Sequence, residues 1–106
     1  MAALQADRLE DAERFLGEAL ADAEDDPDLL NSMAMIAFRR KQFGQARALM
    51  ARAVRWRETD ARLWFNYGLA CAAAGGISEA RKAFERVLKL SPGHAGAAQW
   101  LAKVSR

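Results

Sequence analysis

Apolar and polar positions alternate along this chain with the period of an α-helix. Leu30, Met33, Ala34 and Ala37 stand at i, i+3, i+4 and i+7, a spacing that gathers four side chains on one helix face. Trp64, Tyr67, Gly68 and Cys71 repeat it. Phe43, Ala46, Met50, Ala53 and Val54, then Ile77, Ala80, Phe84, Val87 and Leu88, give two further amphipathic stripes. The punctuation agrees. Asp26 offers a capping carboxylate ahead of Pro27 at the first helical position, with Asp28 near the positive helix end. Thr59-Asp60 offers a cap to the helix carrying Trp64, and Gly75-Gly76 ends that helix before Ser78, which is predicted to cap the next. Short links between helices of similar length predict antiparallel neighbours.

The stripes themselves recur. Leu9, Phe43 and Ile77 are spaced 34 residues apart, as are Leu16, Met50 and Phe84, and Leu20, Val54 and Leu88. Small residues keep the interval at Ala12, Ala46 and Ala80. In the other half of the unit it links Leu30, Trp64 and Ala98; Met33, Tyr67 and Leu101; and Ala34, Gly68 and Ala102. A fixed period of this size marks stacked copies of one supersecondary unit. A single helical hairpin cannot bury its faces alone, so neighbouring copies share a core. Alanine or glycine at Ala34, Gly68, Ala46 and Ala80 lets the backbones approach towards the short end of the usual ~8–10 Å separation.

The run Trp64-x-x-Tyr67-Gly68-x-x-Cys71, followed by Ala80-x-x-x-Phe84 and Pro92, resembles the tetratricopeptide repeat signature. It departs in two places: Tyr67 stands where leucine is usual, and Cys71 where tyrosine is usual. Residues 61–94 resemble a complete repeat, and residues 27–60 a degenerate one with Leu30 in the tryptophan column and Glu58 in the proline column. Residues 1–26 resemble the second half of a repeat, and 95–106 the first helix of another. The resemblance implies a single all-α domain over residues 1–106, an α-α superhelix or solenoid of about six antiparallel helices.

Composition fits one globular domain. The chain has 106 residues, 52% of them hydrophobic and 28% charged, which argues against disorder and leaves length for one domain and not two. A lone cysteine, Cys71, can neither staple the chain nor make a metal site by itself. No basic flank with a long apolar run opens the chain, so neither a leader nor a membrane span is predicted, and a cytoplasmic setting is expected. The net charge of +2 hides a strong asymmetry. Residues 1–28 hold ten acids and two bases, whereas the remainder holds four acids and fourteen bases. Such bipolarity bears on association rather than on fold.

No residue constellation points to catalysis. His94 follows Ser91-Pro92-Gly93 and reads as a junction residue, exposed or capping. Cys71 falls in a core column, where a thiol behaves as a small hydrophobe. One histidine and one cysteine give no zinc set, and Gly75-Gly76 lacks the lysine and hydroxyl of a phosphate cradle. A non-enzymatic protein without cofactor or metal is expected. The basic run Arg39, Arg40, Lys41, Arg47, Arg52, Arg55, Arg57 and Arg62 is spread round two helices, so nucleic acid is disfavoured as a partner. The acidic first helix, roughly Ala3 to Ala23, is a ready counterpart for it, within the fold or between copies. On that helix Glu10, Asp11, Glu13, Arg14 and Glu18 supply a wettable capping face, while Leu4 and Phe15 offer a docking face as the alternative. Trp100, near the other end, either folds over the final layer or anchors a partner.

The family resemblance also implies where a partner would lie. In tetratricopeptide proteins the first helix of each repeat lines a concave groove holding a peptide or helix. That register places Asn31, Met35, Phe38 and Arg39, then Arg62, Phe65, Asn66 and Leu69, then Gln99 and Lys103, on the groove. Met35, Phe38, Phe65 and Leu69 lie off the hairpin stripes and are predicted to form an apolar floor flanked by arginines, with packing between neighbouring first helices as the alternative for each. Such a floor suits a segment with hydrophobic side chains and acidic character. Repeats that clamp chaperone C-termini use lysine, two asparagines, a further lysine and an arginine. Here those positions hold Asn31, Met35, Asn66, Gly96 and Trp100, and only Asn66 matches, so a co-chaperone of that kind is not expected. The reading is a protein-interaction module, a scaffold or adaptor. Its alternative is a unit that self-associates into homo-oligomers through end helices or opposed charges.

Overall fold

Five helices account for most of the computed structural model, which describes residues 26–105. They are α1 (Pro27–Arg39), α2 (Phe43–Trp56), α3 (Ala61–Ala73), α4 (Ile77–Leu90) and α5 (Ala95–Val104), with no strand among the described residues. The helix expected over Ala3–Ala23 lies outside them, so the expected count of about six is tested over five.

The capping chemistry acts at three of the five starts. The Asp26 carboxylate accepts from the backbone N–H of Asp28 at 2.9 Å and of Leu29 at 3.4 Å, ahead of Pro27. Asp60 does the same for Arg62 and Leu63, at 3.0 and 3.4 Å. His94 caps α5, its Nδ1 accepting from the Ala97 N–H at 3.0 Å. Ser78 caps nothing: α4 begins one residue earlier at Ile77, with Gly76 as the flanking residue and no side-chain cap. In the turn before α4 Gly76 N–H donates to the Cys71 carbonyl at 2.8 Å and Gly75 N–H to Ala72 at 3.1 Å. This is the double bond of a Schellman motif, with Gly75 left-handed at φ 89°. The α1–α2 turn copies it at Gln42 and Lys41, where Lys41 takes φ 62°.

α1 packs on α2 and α3 on α4 as hairpins, and α3 and α5 each lie also against the preceding outer helix. The stripes read from the sequence form the seams, except at Ile77 in the first turn of α4, which is exposed. Leu30, Ala34, Met50, Ala53 and Val54 bury together with Leu63, while Cys71, Ala80 and Phe84 form the second cluster. Leu63, Ala70 and Ala97 are almost fully buried although they sit off those stripes. They face the preceding outer helix, α3 being packed between α2 and α4, and α5 lying against α4. The seam of the second hairpin closes tightly at Gly68: a Cβ there would stand 2.6 Å from Phe84 Cε1. Arg57 ties the end of α2 to the start of α1, donating to both oxygens of Asp28 at 2.8 and 3.1 Å. The guanidinium holds the Asp28 carboxyl below its ordinary value.

α1 meets α3 directly, while α2 and α4 part around a cleft of about 620 Å³. Helices that approach on one side and separate on the other give the stack an inner face of α1, α3 and α5 and an outer face of α2 and α4.

Candidate functional site

The inner face carries the residues assigned to the groove, and the structure divides them into three kinds. Asn31 and Asn66 are brought together, Asn66 Nδ2 donating to Asn31 Oδ1 at 2.9 Å across the α1–α3 boundary. Helical geometry explains the meeting, since their separation of 35 residues is one repeat plus one step along the inner helices. The bond leaves the Asn31 amide as donor and the Asn66 carbonyl as acceptor, the complement of one peptide group.

The apolar floor is smaller than expected. Met35 alone of its four members is exposed, at 42%. Phe65 is half-buried, its ring 5.7 Å from Phe84 and 4.8 Å from His94, and it lies over Gly96. Leu69 packs on the cluster of Cys71, Ala80 and Phe84. Phe38 stands edge-on to Phe43 at 5.1 Å and against the cluster of Ala37, Ala46 and Ala70. Of the two roles open to these side chains, free floor or packing, Phe38, Phe65 and Leu69 take packing in large part, on their hairpin mates as well as on neighbouring helices. Inner helices touch each other, and residues off the hairpin stripe fill that contact.

The flanking charges differ too. Arg62 is held by acids of its own chain, Nη2 lying 3.4 Å from Asp28 and 3.6 Å from Asp60. Arg39 is exposed in the last turn of α1, where a cation favours the helix end. Gln99 is exposed on α5, and Lys103 places its ammonium 4.8 Å over Trp100. Trp100 stacks at 6.1 Å on Phe84, closing the final layer. Cys71 is fully buried and burial pushes its thiol up, as suits a core residue. Among the described residues no group of histidine, cysteine and carboxylates could hold a metal ion, and no helix is long and apolar enough to cross a membrane.

One recessed surface escaped the sequence reading. The outer cleft is lined by Trp64 and Tyr67 below and by Arg55, Lys82 and Arg86 at its sides. Its only signal in the sequence is that Arg55 and Lys82 each follow an apolar or acidic stripe position by one turn, which any solvent-facing residue also does.

Two stacked hairpins followed by a fifth helix, with inner and outer faces of alternating helices, define an α-helical repeat solenoid. The tetratricopeptide repeat profile matches residues 3–69, and a second profile of the same description matches residues 61–104. The chain belongs to the tetratricopeptide repeat family. Among solved structures it is similar to the first such domain of Spaghetti (RPAP3) bound to the HSP90 peptide SRMEEVD. The identity is 26% and the TM-score 0.87, over 96% of this chain and 81% of that one. The second domain of human RPAP3, in complex with the HSP70 peptide SGPTIEEVD, shares 22% identity with a TM-score of 0.86, over 97% and 86% of the two chains. The Sgt2 domain from Aspergillus fumigatus shares 20% identity with a TM-score of 0.84, over 99% and 71%. No curated protein matches the chain.

Proposed function

We propose that this protein is a non-enzymatic interaction module that holds an extended peptide segment along the inner face of α1, α3 and α5. The observation that carries the reading is the Asn31–Asn66 pair at 2.9 Å, which leaves one amide donor and one carbonyl acceptor to serve a peptide backbone. Beside it Met35 supplies an adaptable apolar contact, and Phe38, Phe65 and Leu69 supply the exposed parts of half-buried rings and branches. The peptide complexes of the similar domains support a peptide as the ligand class.

The partner suited to this groove differs from the acidic chaperone tails held by those domains. Gly96 and Trp100 occupy positions where a clamp needs a lysine and an arginine. A side chain on Gly96 would begin 3.1 Å from the Phe65 ring, and Trp100 is engaged with Phe84. Arg62 already has two carboxylate partners. Backbone amide pairing with apolar side chains, and not the grip of a terminal carboxylate, is therefore the recognition mode. Peptides selected from a random display library on the intact chain test it. Asn66→Ala and Met35→Glu should each weaken the selected binders about tenfold or more while circular dichroism stays helical. Selected peptides that bind both variants at parental strength would remove the groove from the reading.

A further inference from the structure

The outer cleft is built from two helix faces with matching spacing. α2 contributes Ala51, Val54 and Arg55, with Glu58 just past its end, and α4 contributes Glu79, Lys82, Ala83 and Arg86. Both sets run i, i+3, i+4, i+7, and one antiparallel helix separates α2 from α4, so the two faces lie parallel. The carboxylates therefore fall at opposite ends of the cleft, Arg55 and Lys82 lie between them, and Arg86 stands at the Glu58 end.

Among the described residues no carboxylate pairs with those cations. Glu79 is engaged at its end, accepting from the Tyr67 hydroxyl at 3.5 Å and from Cys71 Sγ at 3.9 Å. No ion pair among the described residues involves Arg55, Lys82 or Arg86. Arg86 lies 5.7 Å over the Trp64 ring and reaches only a main-chain oxygen, that of Glu58, at 3.5 Å. Its Nε–H is buried with no acceptor among the described residues. A buried donor without an acceptor is costly, and it points to a group that completes it. The floor around it is apolar, from Val54, Ala83 and the Trp64 and Tyr67 rings.

We propose that this cleft is a second docking site, independent of the inner groove, for a peptide segment in which one central carboxylate adjoins a large apolar side chain. The carboxylate lies among Arg55, Lys82 and Arg86, and the apolar group covers the aromatic floor. A volume of about 620 Å³ suits a few side chains rather than a whole helix. Glu58 and Glu79 at the two ends repel a continuous line of negative charge, which selects against a nucleic-acid strand.

The test uses the intact chain labelled with nitrogen-15. The probe is a blocked five-residue peptide with a central glutamate between leucine and phenylalanine, beside its glutamine counterpart. The chain has three tryptophans, so three indole N–H signals report separately, and the Trp64 Nε1–H sits at the cleft, donating to the Glu58 carbonyl at 2.7 Å. The glutamate peptide should shift the Trp64 indole and the Lys82–Arg86 amide signals saturably, and the glutamine peptide should bind about tenfold more weakly. Arg55→Glu with Lys82→Glu, both exposed positions, should abolish the shifts without loss of helix, while Asn66→Ala leaves them unchanged. Four results overturn the proposal: no saturable shift at millimolar peptide, equal binding of both peptides, shifts confined to the inner face, or tighter binding of a thymidine oligonucleotide at the same signals.

Discussion

In the α1–α2 hairpin Ala34 shares a buried cluster with Met50, whereas the equivalent pair in the α3–α4 hairpin is Gly68 beneath Phe84. One methyl group lost from the inner helix accompanies a flat, larger ring on the outer one. Neither residue of a pair is interchangeable by itself, because the seam conserves their joint volume. The hairpins also differ in their turns, Lys41 holding at φ 62° a position that Gly75 holds at 89°. A third difference is polar. Tyr67, Cys71 and Glu79 make a small contact in the second hairpin, at columns where the first has Met33, Ala37 and Gln45. The family pattern therefore specifies a geometry that several side-chain combinations satisfy.

The largest expected effect breaks the volume exchange. Gly68→Ala should lower unfolding free energy by about 1–3 kcal/mol, since its Cβ would meet the Phe84 ring in a closed core. Adding Phe84→Met, which recreates the Ala34–Met50 combination, should recover part of that loss in urea unfolding. A Gly68→Ala chain as stable as the parent would show that the second seam is not closed as described. The next effect exchanges the turns. Gly75→Ala should cost about 1 kcal/mol and Lys41→Gly should gain up to about 1 kcal/mol, both from left-handed backbone strain alone. Nothing lies within 4 Å of a Cβ at Gly75, so contact plays no part in that comparison.

The smallest effect concerns the polar contact and is read by titration. Burial first, then Cys71 and Glu79, pushes the Tyr67 phenol from 10.0 up to about 12. The folded value lies above the unfolded one, so the neutral phenol's contribution is complete below pH 10 and is lost as pH rises towards 12. Tyr67 is the single tyrosine, so tyrosinate absorbance reports it directly. Glu79→Gln should move the native midpoint down, and a native midpoint equal to that in denaturant would remove the contact from the account.

Much of the architecture was legible in the chain because repetition multiplies a weak signal. Asp26 and Asp60 read correctly as caps, as did His94 as a capping residue, since a cap depends on atoms within three residues of it. Cys71 in the core followed from its column, while of the two roles open to Trp100 the structure takes the one over the last layer. The groove was less legible. Whether Phe38, Phe65 and Leu69 are free or packed was open in the sequence, because a stripe names only the centre of a helix contact, and these residues sit at its edge, touching both the hairpin mate and the neighbouring helix.

The sequence by itself determined the period, the helices and the pairing of each stripe with its mate, because these depend on spacing along one chain. Tertiary structure decided the rest: the burial of Leu63, Ala70 and Ala97 on a second side, the meeting of Asn31 with Asn66, the capture of Arg62 by Asp28 and Asp60, and the opening between α2 and α4. Each of these joins residues of different helices or repeats. Their relation is set by the rotation from one hairpin to the next, a rigid-body quantity that periodicity does not encode.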